Sequence, residues 1–216
     1  MDLALFDLDE TLISEDSTGL WLRWLVSQGF APAALLEQER LLMEQYYRGS
    51  LSMEEYMQIT LSPLVGKGML TVQGWVRRFI QRDILPRVYP AARERLHWHQ
   101  QRGDTVMIIS ASGEHLVSPI AQQLGAHGAL AIGVEILDDR YSGQTYGTMT
   151  YQQGKVTRLK DWLAWQKPFE QTWAYSDSIN DLPMLEHADR AYVINPQAKL
   201  DLLAQQRGWD VCHWVK

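Results

Sequence analysis

Four aspartates, one lysine and one serine stand where the chain turns from apolar to polar. Asp7 and Asp9 follow the apolar run Leu3 to Phe6, Ser110 follows Thr105 to Ile109, and Asp177 follows Thr172 to Tyr175, with Asp181 close behind. Carboxylates gathered at one place repel one another, and some of their pKa values rise unless a cation intervenes. A hard divalent cation with oxygen ligands suits such a set, and magnesium is the usual choice beside phosphate. Lys155, directly after Gly154, offers a second positive centre, and Ser110 offers a hydroxyl donor. Backbone N–H groups at the start of a following helix can hold an anion. Together these are the parts of a phosphoryl-transfer site.

Such a set works only if the fold gathers it. The sequence predicts an α/β fold, a doubly wound parallel sheet, because apolar runs alternate with helical patterns after Pro86 and Pro90. Strands are expected over Leu3–Phe6, Thr105–Ile109, Ala131–Ile136, Thr172–Tyr175, Ala191–Ile194 and Val211–Val215. Helices are expected over Ala91–Arg102, Glu114–Leu124, Val156–Trp165 and Asp181–His187, with one more before the last strand. Asp138-Asp139 and Ser142-Gly143 mark a β-hairpin. Ligands of open parallel sheets bind at the carboxyl ends of the strands, which is where the polar residues stand. From about Ser14 to Arg87 the apolar residues recur at helical spacing instead, broken at Gly29 to Pro32 and Gly66 to Gly68. Ser52 with Glu55 reads as a capping box. The expected division is a core of residues 1–13 and 88–216 with a helical insert over 14–87.

Composition narrows the partners. The chain has 216 residues, 46% hydrophobic and 21% charged, enough for a buried core. A net charge of -6 without a basic cluster argues against nucleic acid. No apolar run reaches the length of a membrane span, and an acidic N-terminus is unlike a signal peptide. One cysteine, Cys212, allows no internal disulfide. A cytoplasmic protein that acts on a small phosphorylated metabolite is expected.

The residues Asp7-Leu-Asp9-Glu-Thr11-Leu12 resemble the first motif, DxDxT, of the haloacid dehalogenase superfamily. Ser110-Ala111-Ser112 resembles its second motif, Gly154-Lys155 its third and Asp177 to Asp181 its fourth. The wording of SASGEHLVSPIA and YSDSINDLPML is similar to the phosphoserine-phosphatase-like subfamily. That resemblance implies a phosphatase with Asp7 as nucleophile and Asp9 as acid and base. It implies magnesium held by the Asp7 carboxylate, the Asp9 carbonyl and Asp177, with Asp181 supporting its waters. It further implies that Ser110, Ala111, Ser112, Lys155 and Asn180 hold the phosphate, and that the helical insert is a cap that selects the leaving group.

Asp16 matches an acidic residue that binds the substrate amino group in phosphoserine phosphatases. A gap-free comparison puts Thr60 where those enzymes carry an arginine for the carboxylate, so histidinol phosphate suits the chain better than phosphoserine. A lipid phosphate fits less well, for want of a basic amphipathic segment. A phosphotransferase would use the same residues, and a phosphoaspartate switch would not need Asp9. An inactive scaffold would have lost a motif residue. Other residues read as structural. His97 and His99 do not share a helix face and so do not chelate. Cys212 lies in the apolar terminal strand and reads as inert, and the tryptophans are core material, with Trp21 and Trp24 as candidates for the pocket wall. Lys160 is the competing choice for the phosphate lysine.

Overall fold

The computed structural model describes residues 1–48 and 50–216, without the side chain of Tyr47. Strand β1 (Leu3–Phe6) is buried on both faces, as a central strand of a parallel sheet must be. Its side chains alternate between two cores. Ala4 and Phe6 join the core shared with the helical insert, and Leu3 and Leu5 join the opposite one. Leu3, Leu5 and Phe6 each contribute about 1.5–3 kcal/mol by leaving water.

Helices α1 (Ser17–Ser27), α2 (Ala34–Arg48), α3 (Met53–Leu61) and α4 (Met69–Phe79) follow in the insert. Ser52 caps α3, its hydroxyl accepting from the Glu55 N–H at 3.3 Å. Trp21 and Trp24 stack on each other at 5.2 Å and pack around Phe79. They are buried in the same core as Ala4 and Phe6 and do not line the cavity, which corrects their expected candidacy for the pocket wall. The chain enters and leaves the insert side by side, since Ile13 and Val88 form an antiparallel bridge. The Ser14 N–H donates to the Arg87 carbonyl and the Tyr89 N–H to the Leu12 carbonyl.

The remainder alternates as expected: α5 (Pro90–Gln101), β2 (Thr105–Gly113), α6 (Glu114–Gln123), β3 (Gly128–Leu137), β4 (Arg140–Tyr146), α7 (Gln153–Leu163), β5 (Thr172–Ser176), α8 (Leu182–His187), β6 (Arg190–Ile194), α9 (Ala198–Arg207) and β7 (Asp210–Cys212). The sheet order is β4-β3-β2-β1-β5-β6-β7, parallel except for the edge strand β4. Chain order reverses at β1, so the crevice of this doubly wound sheet opens beside it. The β3–β4 turn places Asp138 and Asp139 at φ 48° and 60°, the pair of positive angles a two-residue type I′ turn needs. Several boundaries differ from expectation, with β3 beginning at Gly128 and α7 at Gln153. Strand β2 runs past Ser110 to Gly113 through a register shift after Ile109, and the last strand covers Asp210–Cys212 rather than Val211–Val215. A β-bulge lets a strand end carry extra residues without losing its partner.

His99 is fully buried, not a surface residue, and bridges Asp104 at 2.8 Å and the Tyr175 hydroxyl at 2.9 Å. Burial lowers its pKa, against the pull of Asp104, and it pins α5 to the back of β5. Arg95 is close enough to act on Cys212. Burial outweighs that cation and raises the thiol pKa.

Candidate active site

Asp7 continues β1 by one residue, its N–H donating to the Tyr175 carbonyl at 2.9 Å. That bond aims its carboxylate over the carboxyl edge of the sheet. The chain then turns sharply, with Glu10 at φ 58° and the Leu12 N–H donating back to the Leu8 carbonyl. The turn returns Thr11 beneath Asp7. The Thr11 hydroxyl lies 3.0 Å from Asp7 Oδ2 and 2.9 Å from Asp177 Oδ1. One hydroxyl has one proton, so two carboxylates compete for it.

The other oxygen of Asp7 accepts from Lys155 Nζ at 2.7 Å, and the same ammonium donates to Asp181 Oδ2 at 2.7 Å. Lys155 is only 2% exposed, whereas Lys160 faces solvent, so Lys155 is the lysine of the site. Burial opposes the charge on Lys155, but Asp181 and Asp7 outweigh it and hold the ammonium well above its usual range. Burial pushes the Asp7 carboxyl up to about 7 despite Lys155, with Asp181 and Asp9 adding to the rise. These shifts agree on one point: a single buried ammonium does not neutralise these carboxylates. Asp177 is raised as well, by burial first and then by Asp7.

A glycine must precede Lys155. A Cβ on Gly154 would fall 1.9 Å from the Met149 carbonyl oxygen, a backbone atom that cannot swing aside. The preceding loop is tied to β2 by the buried Thr150, whose hydroxyl donates to the Ser110 carbonyl. A Gly154→Ala variant is expected to shift α7, lower the melting temperature by several degrees and weaken catalysis through Lys155. Overpacking of this kind costs about 1–3 kcal/mol, and thermal unfolding beside an activity assay checks it.

Asp9 is held by three donors. Oδ1 accepts from the Ser17 N–H at 2.6 Å, and Oδ2 accepts from the Ser110 and Ser112 hydroxyls at 3.0 Å each. Ser110, fully buried, therefore orients Asp9, and the serines do not cap α6, whose N-cap is Gly113. Asp181 also accepts from the Ser176 hydroxyl at 2.7 Å, and Asn180 Oδ1 accepts from Gln152 Nε2 at 3.1 Å.

A metal would find a donor set that fits in part. Asp7 Oδ2 and Asp177 Oδ1 converge on Thr11 with too few protons between them, as two ligands of a hard cation would. The Asp9 carboxylate turns to its three donors, and the bonded Asp181 oxygen turns to Lys155 and Ser176. Among the described residues, no three Asp, Glu, His or Cys side chains form a ready metal cage. Waters and a backbone carbonyl would complete the shell, which suits magnesium, an ion reluctant to dehydrate.

These groups line a cavity of about 250 Å³. Asp16 stands on its wall, close to Glu10, and caps α1 by accepting from the Gly19 N–H. Burial, then the Asp9 and Glu39 charges, raises the Asp16 pKa well above the usual carboxylate range. Ala111, Ser112, Lys155 and Asn180 line the same cavity. Thr60 does not. It is buried in α3, donating to the Tyr56 carbonyl at 2.9 Å, and the arginine on the wall is Arg48. Arg48 is thus a guanidinium on the wall that the gap-free comparison did not supply.

A family model of haloacid dehalogenase-like hydrolases matches residues 4–186. The chain belongs to this family. Its match runs from β1 through α8 and so takes in every carboxylate of the site. The chain is 33% identical to a histidinol-phosphatase of Neisseria meningitidis serogroup C (strain 8013), over 99% of both chains. A solved structure of a protein of unknown function from Bordetella pertussis Tohama I superposes with a TM-score of 0.90, at 34% identity and 97% coverage of each chain. A substrate-bound phosphoserine phosphatase shares the fold, with a TM-score of 0.70 at 21% identity over 98% of this chain and 91% of that one. This member of the family is a phosphoric monoester hydrolase. No helix among its described residues is long and apolar enough to cross a membrane.

Sequence reasoning left several residues without a role. Thr11 lies inside the first motif and Ser176 directly before the fourth, so their places were available. Thr150, Tyr46 and Arg48 carry no local signal, because only packing brings them to the site.

Proposed function

We propose that the chain is a magnesium-dependent phosphatase that hydrolyses a small amino-bearing phosphomonoester, histidinol phosphate first among candidates, through a phosphoaspartate on Asp7. The observation that carries this reading is the buried Lys155 bridging Asp7 and Asp181, with Asp9 held two residues away by three donors. Asp7 attacks phosphorus as the ester P–O bond breaks, and Asp9 gives the leaving oxygen its proton. Asp9 then takes a proton from water, whose oxygen displaces Asp7 and releases inorganic phosphate. Lys155, charged throughout, lies against the phosphoryl oxygens beside Asp7, and Asn180 and the Ala111–Ser112 segment complete their surroundings. Magnesium, held by Asp7, Asp177 and the Asp9 carbonyl, would offset the charge of the transferring group. The helical segment 14–87 acts as the cap.

Asp16 supports a leaving group with a nitrogen cation, placed beyond the Asp9 carboxylate that protonates the ester oxygen. Met43, Leu51, Met53 and Tyr56 supply an apolar and aromatic wall on which an imidazole ring could rest. Phosphoserine has no group for that wall, whereas its carboxylate could use Arg48. Asp16→Asn is expected to raise KM for the amino-bearing substrate about 10- to 100-fold, the worth of one charged hydrogen bond. The effect on an aryl phosphate without a nitrogen cation should be smaller, and steady-state kinetics on both substrates checks this.

The deciding experiment follows phosphate release from histidinol phosphate, phosphoserine, sugar phosphates and an aryl phosphate, with magnesium and with a chelator. Metal-dependent release with the highest kcat/KM for histidinol phosphate supports the proposal. Phosphoserine as the best substrate would move the recognition to Arg48. No release from any ester, with stable labelling of Asp7 by a phosphoryl donor, would sink the phosphatase reading.

A further inference from the structure

The insert meets the sheet at two edges of the cavity. At one, the start of α1 touches the acid and base itself, through the Ser17 N–H on Asp9 and the Thr18 hydroxyl 3.1 Å from Ser112 Oγ. At the other, Tyr46 near the end of α2 reaches the loop after β5. Its hydroxyl shares a hydrogen bond with Ser178 Oγ at 3.3 Å and lies near Asn180.

Ser178 is more than a surface contact. Its hydroxyl caps the single turn Ile179–Asp181 by accepting from the Asn180 N–H at 3.2 Å. Its own N–H donates to Ser176 Oγ at 3.1 Å, and Ser176 donates to Asp181 Oδ2 at 2.7 Å. Asp181 then holds Lys155, which holds Asp7. A 3-10 turn of three residues has little intrinsic stability, so its cap decides where Asn180 and Asp181 stand. Tyr46 bonds the same oxygen that makes that cap.

We propose that Tyr46 is a positioning residue, a latch by which the closed insert fixes the Ser178 turn and with it the Asp181–Lys155–Asp7 arrangement. The proposal rests on the phosphatase reading above and adds a cap residue that acts on the chemical step without touching the reacting atoms. Closure and catalytic alignment then become one event, as in enzymes whose lids complete their sites.

A double-mutant cycle on the full chain tests it, with kcat and KM measured in magnesium on the best ester of the panel. Tyr46→Phe keeps the ring and removes only the hydroxyl. Tyr46→Phe and Ser178→Ala are each expected to lower kcat about 3- to 10-fold, with a smaller change in KM. The double variant should lose no more than the worse single, a non-additivity of at least about threefold. Additive losses, or a Tyr46→Phe effect confined to KM, would overturn the latch. If Ser178→Ala does not fold, Ser178→Gly replaces it, since glycine is tolerated at a cap. Failure of the phosphatase reading is seen separately, as wild-type protein that releases no phosphate.

Discussion

Asp7→Asn is expected to cut phosphate release at least about a thousandfold, because an amide cannot serve as the nucleophile in the proposed mechanism. The same variant should not unfold the protein. In wild type the Asp7 carboxyl is buried, raised to about 7, and crowded by Asp181 and Asp9. A carboxyl raised on folding stabilises the folded state fully below its unfolded value of 3.8, and that contribution is lost as pH rises through about 7. Asparagine removes this loss while keeping a similar shape. With a chelator present, the gap in melting temperature should therefore move in favour of Asp7→Asn as pH rises from about 4 to about 7. Thermal unfolding at several pH values reads this directly. A variant that is inactive because it is unfolded would contradict the placement of Asp7, and a variant that keeps wild-type turnover would remove it as nucleophile.

Lys155→Met should be the most damaging single change to stability. It leaves Asp7 and Asp181 buried with their shared cation gone. Removing one partner of a buried ion pair costs about 3–5 kcal/mol. For a chain of this size that corresponds to a fall of roughly 6–20 °C in melting temperature. The deficit should shrink as pH falls through about 7, where Asp7 takes up a proton and no longer needs the ammonium. Activity should fall as well, by about 100-fold or more, since the proposed mechanism places this fixed cation against the phosphoryl oxygens. Lys160→Met is the control, because Lys160 is exposed, and it should leave the melting temperature nearly unchanged. Equal stability of Lys155→Met and wild type at neutral pH would show that the lysine is not buried between the two carboxylates.

Asp7 and Lys155 differ in how plainly the sequence marks them. Asp7, like Asp9 and Asp177, follows an apolar run, and a doubly wound sheet brings the carboxyl ends of adjacent strands together. Strand ends are set by local pattern, so the order of elements, the helical insert and the Asp138-Asp139 turn were legible in the sequence. Gly154 illustrates the boundary. Its place before Lys155 is visible as a motif, but its reason, the Met149 carbonyl against any Cβ, exists only in three dimensions.

Tertiary structure alone decided the rest, because it depends on contacts between residues far apart in the chain. Lys155 was chosen over Lys160 by burial across 148 residues of separation from Asp7. Ser110 and Ser112 both bond Asp9, 101 and 103 residues away, and Ser112 also lines the cavity. Arg48 stands on the cavity wall and Thr60 does not, because of the way α2 and α3 face it, which local pattern does not reveal. The same long-range packing sets Tyr46 over Ser178, 132 residues away. Sequence by itself determined which residue types stand at the strand ends, since charges and hydroxyls are written there. The tertiary structure decided which neighbours tune those residues, since burial and hydrogen-bond partners arise only when distant segments pack.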